Sequence, residues 1–90
     1  MSYAVVIQVA IDPDSDHQHR QAILNEFVLP QTQALPGFEK GMWMNDGAGA
    51  GTCIVVFDSE LRARAAIESL TPAGGPPILA SGVHEVELEV

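Results

Sequence analysis

Residues 3–11, which read YAVVIQVAI, decide the fold of this 90-residue chain. Alternate side chains of a β-strand point to opposite faces of the sheet. Both sets are largely apolar in this stretch, and Gln8 is its one strongly polar residue. Two apolar faces are typical of a central strand that is covered on both sides. The pattern therefore predicts that residues 3–11 form a central strand.

Helical and strand patterns follow each other along the rest of the chain. Helices are predicted over residues 15–34 and 60–70, and strands over 38–45, 52–57 and 83–90. Pro30 lacks an amide donor and lies inside the first helix, so a kink or a restarted turn is expected there. Residues 71–82 contain three Pro and three Gly and are predicted to be mostly loop.

The predicted order is strand–helix–strand followed by strand–helix–strand, which is the βαββαβ, or ferredoxin-like, arrangement of the α+β class. Right-handed crossovers place the first and third strands at the centre of a four-stranded antiparallel sheet, with the second and fourth at its edges. The length predicts a single domain over residues 1–90. Glu85, Glu87 and Glu89 would then form an acidic, solvated face on the last edge strand.

The two helices cover only one face of the predicted sheet. The other face carries apolar side chains, and charged residues are only 18% of the chain, against about 25% in typical domains. Apolar surface of this kind is usually hidden against another molecule. We therefore expect a homodimer that forms through the sheet faces.

The charge balance limits the classes of partner. Four basic and 12 acidic residues give a net charge of −8. This charge repels phosphate backbones and anionic lipids, so no nucleic-acid partner and no membrane partner is expected. The single cysteine, Cys53, excludes an intramolecular disulfide and a thiolate zinc site. The N-terminus shows a strand pattern instead of a signal peptide, so the expected location is cytoplasmic.

Two junctions carry a resemblance to a known family. The run from Leu35 to Trp43 (LPGFEKGMW) links the first helix to the second strand, and the run from Val55 to Glu60 (VVFDSE) leads into an Ala-rich helix. These residues, with the order of elements, resemble the dimeric α/β-barrel superfamily, and within it the branch similar to antibiotic biosynthesis monooxygenases. The resemblance implies a homodimer with an apolar pocket between the sheet and the helices of each subunit.

Members of that superfamily include cofactor-free oxygenases of polyphenolic or quinol-like substrates, haem-degrading proteins and isomerases. The resemblance to the oxygenases implies that Asn, Trp and Tyr side chains hold an activated substrate. A haem-degrading protein would carry a histidine ligand on its second helix, and residues 60–70 contain none. This departure counts against haem, and the resemblance to the cofactor-free oxygenases implies that no cofactor is present.

The second strand carries the candidate substrate-binding residues. Trp43 and Asn45 are two apart and share one face, where an indole could stack on a planar ligand and an amide could orient its oxygen. Phe27 and Met42 are further apolar candidates for the same site. In the alternative interpretation, Trp43 packs at a dimer interface and Asn45 starts a hairpin.

Two histidines are candidate catalytic bases. The pKa of histidine lies near working pH, so His84 on the last strand or His17 at the start of the first helix could take a proton from a phenol. His84 could instead be a hydrogen-bonded interface residue, and His17 could belong to a solvated, capping segment. His17 and His19 are about 200° apart on a helix and cannot share one metal, so no metal site is predicted.

Two functions remain open from the sequence. The first is binding of a small apolar or aromatic molecule, with cofactor-independent monooxygenase chemistry on phenol- or quinol-like substrates. The second is a non-catalytic dimerising or ligand-sensing module whose pocket is filled by its own side chains. A cavity lined by a histidine and by Trp43 or Asn45 would support the first, and a cavity closed by Phe27 and Met42 would contradict it.

Overall fold

The computed structural model describes residues 1–12, 14–71 and 75–90. The strands in this part of the chain are β1 (Tyr3–Ala10), β2 (Phe38–Asn45), β3 (Ala50–Phe57) and β4 (Ile78–Glu85). The long helix consists of α1 (His17–Ile23), a π-helical segment (Leu24–Val28) and α2 (Leu29–Gln33), and the second helix is α3 (Glu60–Leu70). No helix in the described ranges is long and apolar enough to cross a bilayer.

The four strands form one antiparallel sheet in the order β2-β3-β1-β4. This order confirms the predicted α+β, ferredoxin-like arrangement, with the first and third strands at the centre. Val5 of β1 pairs with Val55 of β3 and with Val83 of β4. Residues paired across a sheet share a face, so each register row assigns its side chains to one side of the sheet.

The hydrophobic core lies on the face that the helices cover, which we call the helix face. Its buried members are Val5, Ile7, Val55 and Phe57 of the sheet, together with Ala63 and Ala66 of α3. The small alanines let α3 approach the sheet closely. The opposite side, the open face, carries the alternate residues, among them Val6, Met42, Met44 and Ile54.

Strand β2 contains an irregularity that changes which side chains share a face. The register with β3 shifts between Phe38 and Lys40, as it does where one strand has an extra residue in a bulge. Phe38 pairs with Phe57 and Trp43 pairs with Cys53, so both lie on the helix face although they are five residues apart. Met42 pairs with Ile54 and lies on the open face.

The long helix starts at a capping residue and changes its pitch before Pro30. The side chain of Asp16 accepts a hydrogen bond from the backbone N–H of Gln18. Near the end of the π-helical segment, the N–H of Leu29 donates to the carbonyl of Leu24, five residues earlier. The α-helix then restarts at Leu29 with Pro30 in its first turn, where a proline is tolerated. Of the two alternatives expected at Pro30, a kink or a restarted turn, the structure shows a restarted helix.

Strand β4 differs from its prediction. Residues 83–90 were predicted as the last strand, but β4 covers Ile78–Glu85. Pairing with β1 decides the position, because Val9 pairs with Ile78 and the N–H of Ala10 donates to the carbonyl of Pro77. The loop predicted over 71–82 is therefore wrong for residues 78–82, and its residues 72–74 lie outside the described chain.

Residues 86–90 form a tail beyond β4. The N–H of Val86 donates to the carbonyl of Ser2, and the carboxylate of Glu89 forms an ion pair with Lys40 of β2. Glu87 and Glu89 therefore do not belong to an acidic strand face. The tail passes from the β4 edge of the sheet toward the β2 edge.

Candidate functional site

A cavity of about 610 Å³ lies between the helix face of the sheet and the helices. This volume is within the range of pockets that hold small organic ligands. The walls are mainly apolar, and they include Ile7, Val9, Leu24, Val28, Leu35 and Leu70. The cavity therefore lies between the sheet and the helices, where the resemblance implies an apolar pocket.

Two register rows of the sheet supply the floor of the cavity. Trp43, Cys53 and Ile7 form one row, and Asn45, Gly51 and Val9 form the next. A Cβ atom on Gly51 would collide with the side chain of Ile11. The glycine therefore lets Ile11 pack against the sheet at this end of the cavity.

The long helix supplies the opposite wall. Its residues His17, Arg20, Leu24, Val28 and Gln31 line the cavity, as does Leu35 just beyond the helix end. Their spacing of three, four or seven residues follows one face of a helix. His17 is exposed overall although it lines the cavity, so it lies where the cavity meets the solvent.

The structure brings three of the sequence-predicted site residues together and places three elsewhere. His17, Trp43 and Asn45 line the cavity. His84 pairs with Ala4 on the open face, where Met42 also lies with 52% of its surface exposed. Phe27 is 60% exposed on the long helix and does not line the cavity. Phe27 and Met42 therefore do not close it.

Asn45 has a structural contact as well as a position at the cavity. Its Oδ1 atom accepts a hydrogen bond of 3.0 Å from the backbone N–H of Gly47, at the start of the β2–β3 hairpin. An amide that accepts through oxygen still has two N–H donors on its nitrogen. Asn45 can therefore hold the hairpin and donate to an oxygen atom of a ligand.

The side chains of Cys53 and Thr32 belong to the cavity wall, where the first is not ionised and the second is already hydrogen-bonded. Burial raises the pKa of the Cys53 thiol to about 11, so this group is neutral at physiological pH. Thr32 is buried, and its hydroxyl donates to the carbonyl of Val28 at 2.8 Å. Among the described residues, no three His, Cys, Asp or Glu side chains are grouped as metal ligands.

Arg20 is a cavity residue that the sequence reasoning missed. It is half-buried, and its Nη1 atom donates to the carbonyl of Ser15 at 2.8 Å and to the hydroxyl of the same residue. Two signals could have identified it. It lies three residues after His17 on the same helical face, and it is the only Lys or Arg before residue 40.

Two solved structures share the fold of this chain. One is a monooxygenase from the gene ActVA-Orf6 of Streptomyces coelicolor in complex with nanaomycin D; it is 16% identical, with a TM-score of 0.65 over 99% of this chain and 90% of that one. The other is Rv0793 from Mycobacterium tuberculosis; it is 18% identical, with a TM-score of 0.60 over 99% of this chain and 98% of that one.

These comparisons establish the fold. No family model and no curated protein matches the sequence at a significant level. At 16% and 18% identity, the two solved structures confirm the predicted α+β, ferredoxin-like fold.

Proposed function

We propose that this protein binds a small planar aromatic molecule in the sheet–helix cavity and oxidises phenol- or quinol-like substrates with dioxygen, without a cofactor. The observation that carries the proposal is the cavity of about 610 Å³, with apolar walls and with His17, Trp43 and Asn45 in its lining. The likeness of the fold to a monooxygenase structure that contains nanaomycin D supports it.

Trp43 and Asn45 would hold the substrate. The half-buried indole of Trp43 offers a flat apolar surface for an aromatic ring. Asn45 is two residues further along β2, in the neighbouring register row, so its amide can donate to an oxygen substituent of that ring. Such positioning fixes the reacting carbon before dioxygen arrives, which lowers the entropic part of the barrier.

His17 would act as the general base. It takes the phenolic proton, and its place at the cavity mouth lets it pass that proton to solvent. The resulting anion carries negative charge on a ring carbon, which forms a C–O bond with dioxygen and yields a hydroperoxide after protonation. Loss of water from the hydroperoxide leaves a quinone carbonyl. One oxygen atom of dioxygen enters the product, and the other leaves as water with two hydrogens of the substrate.

Oxygen uptake tests the catalytic part of the proposal. With 1-naphthol, we expect uptake above the uncatalysed rate and a naphthoquinone absorbance that rises with it. His17→Gln should lower kcat by about 10²-fold or more, as loss of a general base does, whereas His19→Gln is a matched control outside the cavity lining. Ligand binding without oxygen uptake would contradict catalysis and leave the ligand-sensing alternative.

We also propose that two copies associate through their open faces. Met42 and Met44 are 52% and 46% exposed there, beside the half-buried Val6 and Ile54. An exposed apolar area of this kind is typical of a protein–protein contact.

Light scattering of the purified protein tests this association. At micromolar concentration we expect twice the monomer mass. Met42→Lys should shift the mass to that of a monomer, and Phe27→Lys is a control at an exposed apolar residue of the long helix. A wild-type protein that is monomeric under these conditions would refute the association.

A further inference from the structure

The four basic side chains of this protein are not equivalent. Lys40 pairs with Glu89, Arg62 with Asp58 and Arg64 with Glu60. Arg20 is the exception, because its guanidinium forms no ion pair within the part of the chain that the structure describes. In a chain with 12 acidic and 4 basic residues, the absence of a carboxylate partner is unexpected.

The contacts of Arg20 hold its charge without neutralising it. Both acceptors that bind Nη1 belong to Ser15, one a backbone carbonyl and the other a hydroxyl, and neither carries a formal charge. A guanidinium has five N–H donors, so these bonds leave several donors available. The side chain is half-buried, so water screens its charge less than it screens a charge on the surface.

The surroundings of Arg20 contain no carboxylate on the cavity side. None of the described residues that line the cavity is Asp or Glu. Asp12 lines a smaller crevice of about 50 Å³ that also contains Arg20, Asn45 and Ile11. The Asp12 carboxylate accepts a bond of 2.9 Å from the N–H of Asp14 and forms no ion pair with Arg20 in the described chain.

The positive charge of the cavity lining lies at one end. Arg20 and Asn45 line both the cavity and the small crevice, so the two lie where these spaces meet. Farther along the helix, the lining is uncharged and includes Leu24, Val28 and the neutral amide Gln31, followed by Leu35 just beyond the helix end. A ligand with a compact anionic group and an apolar body matches this distribution of charge.

We propose that the cavity selects aromatic ligands that carry a carboxylate group, and that Arg20 is the residue that selects them. The inference rests on the proposed function, since it requires that the cavity bind a ligand. Arg20 forms a charge-assisted hydrogen bond to the anionic oxygen, and Asn45 donates to the same group or to a neighbouring oxygen. The overall charge of −8 repels such ligands elsewhere on the surface.

Calorimetric titration with two ligands of equal shape tests this selectivity. The probes are 2-naphthoate, which carries a carboxylate, and 2-naphthamide, which is neutral. We expect the wild-type protein to bind 2-naphthoate about tenfold or more tightly than 2-naphthamide, as a hydrogen bond to a charged group would provide. Trp43 is the only tryptophan and lines the cavity, so quenching of its fluorescence independently reports occupancy.

Three variants separate the role of Arg20 from a general change in charge. Arg20→Gln should remove the preference. It should lower the affinity for 2-naphthoate about tenfold and change the affinity for 2-naphthamide by less than about twofold. Arg64→Gln makes the same change in net charge on α3, outside the cavity lining, and should leave both affinities unchanged. If Arg20→Gln fails to fold, Arg20→Lys keeps the positive charge but lacks the planar guanidinium group, and it should retain part of the preference for 2-naphthoate.

The outcomes distinguish this inference from the function on which it rests. Equal wild-type affinities, or a preference that Arg20→Gln leaves intact, would overturn the inference, while binding of 2-naphthamide would still support a ligand cavity. If neither probe binds and Trp43 fluorescence does not change, the proposed function and the inference both fail.

Discussion

The reactivity of Cys53 provides a quantitative test of the apolar cavity floor. Cys53 is the only cysteine of the chain and lines the cavity, so a thiol reagent reports on one site. Burial raises the pKa of its thiol from an ordinary value of 9.0 to about 11. The thiolate is the reactive species, so the folded protein should react more slowly than the unfolded chain.

The size of this effect follows from the two pKa values. At about pH 8, roughly one tenth of the thiol is ionised in the unfolded chain and roughly one thousandth in the folded protein, a difference of about 100-fold. A thiolate with a higher pKa is a better nucleophile. With a Brønsted slope of 0.4–0.5, a rise of about two pKa units increases the rate constant of the thiolate about eightfold, which offsets part of the 100-fold difference. We therefore expect disulfide exchange at Cys53 to be about tenfold slower in the folded state, before limited access slows it further.

A neutral disulfide such as 4,4′-dithiodipyridine suits this assay, because it avoids any effect of charge on entry. Between about pH 7 and about pH 10, the folded rate should rise tenfold per pH unit throughout, whereas the rate in guanidinium should level off above the ordinary pKa. Circular dichroism at each pH confirms that the fold persists. A folded rate that levels off near pH 9, or that equals the unfolded rate at pH 8, would refute the raised pKa.

The same shift predicts how stability changes with pH. The thiolate is favoured in the unfolded chain, because its folded pKa of about 11 lies above the unfolded value of 9.0. The contribution of Cys53 to stability is therefore complete below pH 9, and it is lost as the pH rises toward about 11. The midpoint of chemical denaturation should fall over this window, and Cys53→Ala should remove that part of the fall.

Three further predictions concern the turns and caps that position the elements. Gly37→Ala should lower the free energy of unfolding by about 2 kcal/mol, because its φ of 80° is strained for alanine and a Cβ would contact Asp58. Gly47 has a similar φ of 74° but open space around it, so Gly47→Ala should lower the free energy of unfolding by only about 1 kcal/mol. Equal costs in chemical denaturation would contradict the contact with Asp58. Ser59→Ala should lower the free energy of unfolding by about 1 kcal/mol, since its hydroxyl caps α3, and an unchanged thermal melt would contradict that role. Backbone N–H groups of the hairpin hold the pKa of the Asp46 carboxyl below its ordinary 3.8, so an NMR titration should find a midpoint below that value. The stability that this carboxylate gives the hairpin should be lost as the pH falls through that lowered pKa.

Local sequence patterns were sufficient for most elements of the fold. The strand over 38–45 and the helix over 60–70 have the predicted bounds, because each has a strong periodicity and a clear boundary such as the Pro36-Gly37 turn. The last strand could not be located in this way. Its alternating pattern continues to residue 90, and only pairing with β1 determines that the strand starts at Ile78.

The site was predictable where it depends on period-two alternation. Trp43 and Asn45 were expected on one face and lie together on the cavity floor. The same alternation places Met42, next to Trp43, on the open face, so its assignment to the cavity was wrong. Nothing in the sequence signals the register shift after Phe38, which places Phe38 on the same face as Trp43 although the two are five residues apart. The position of Arg20 beside a cavity depends on how the long helix packs on the sheet, which is a tertiary contact without a local pattern.

The C-terminal tail has a practical consequence for any measurement of self-association. It leaves β4 beside Ser2 and reaches Lys40 through Glu89. Lys40 pairs with Val56 and so lies on the open face, where two copies are proposed to meet. An affinity tag fused after Val90 would extend from this surface and could block or imitate an interface. Ser2 accepts a bond from Val86 and donates to Glu39 beside Lys40, so a tag at Met1 would lie next to the same segment. Self-association should therefore be measured on protein from which the tag has been removed.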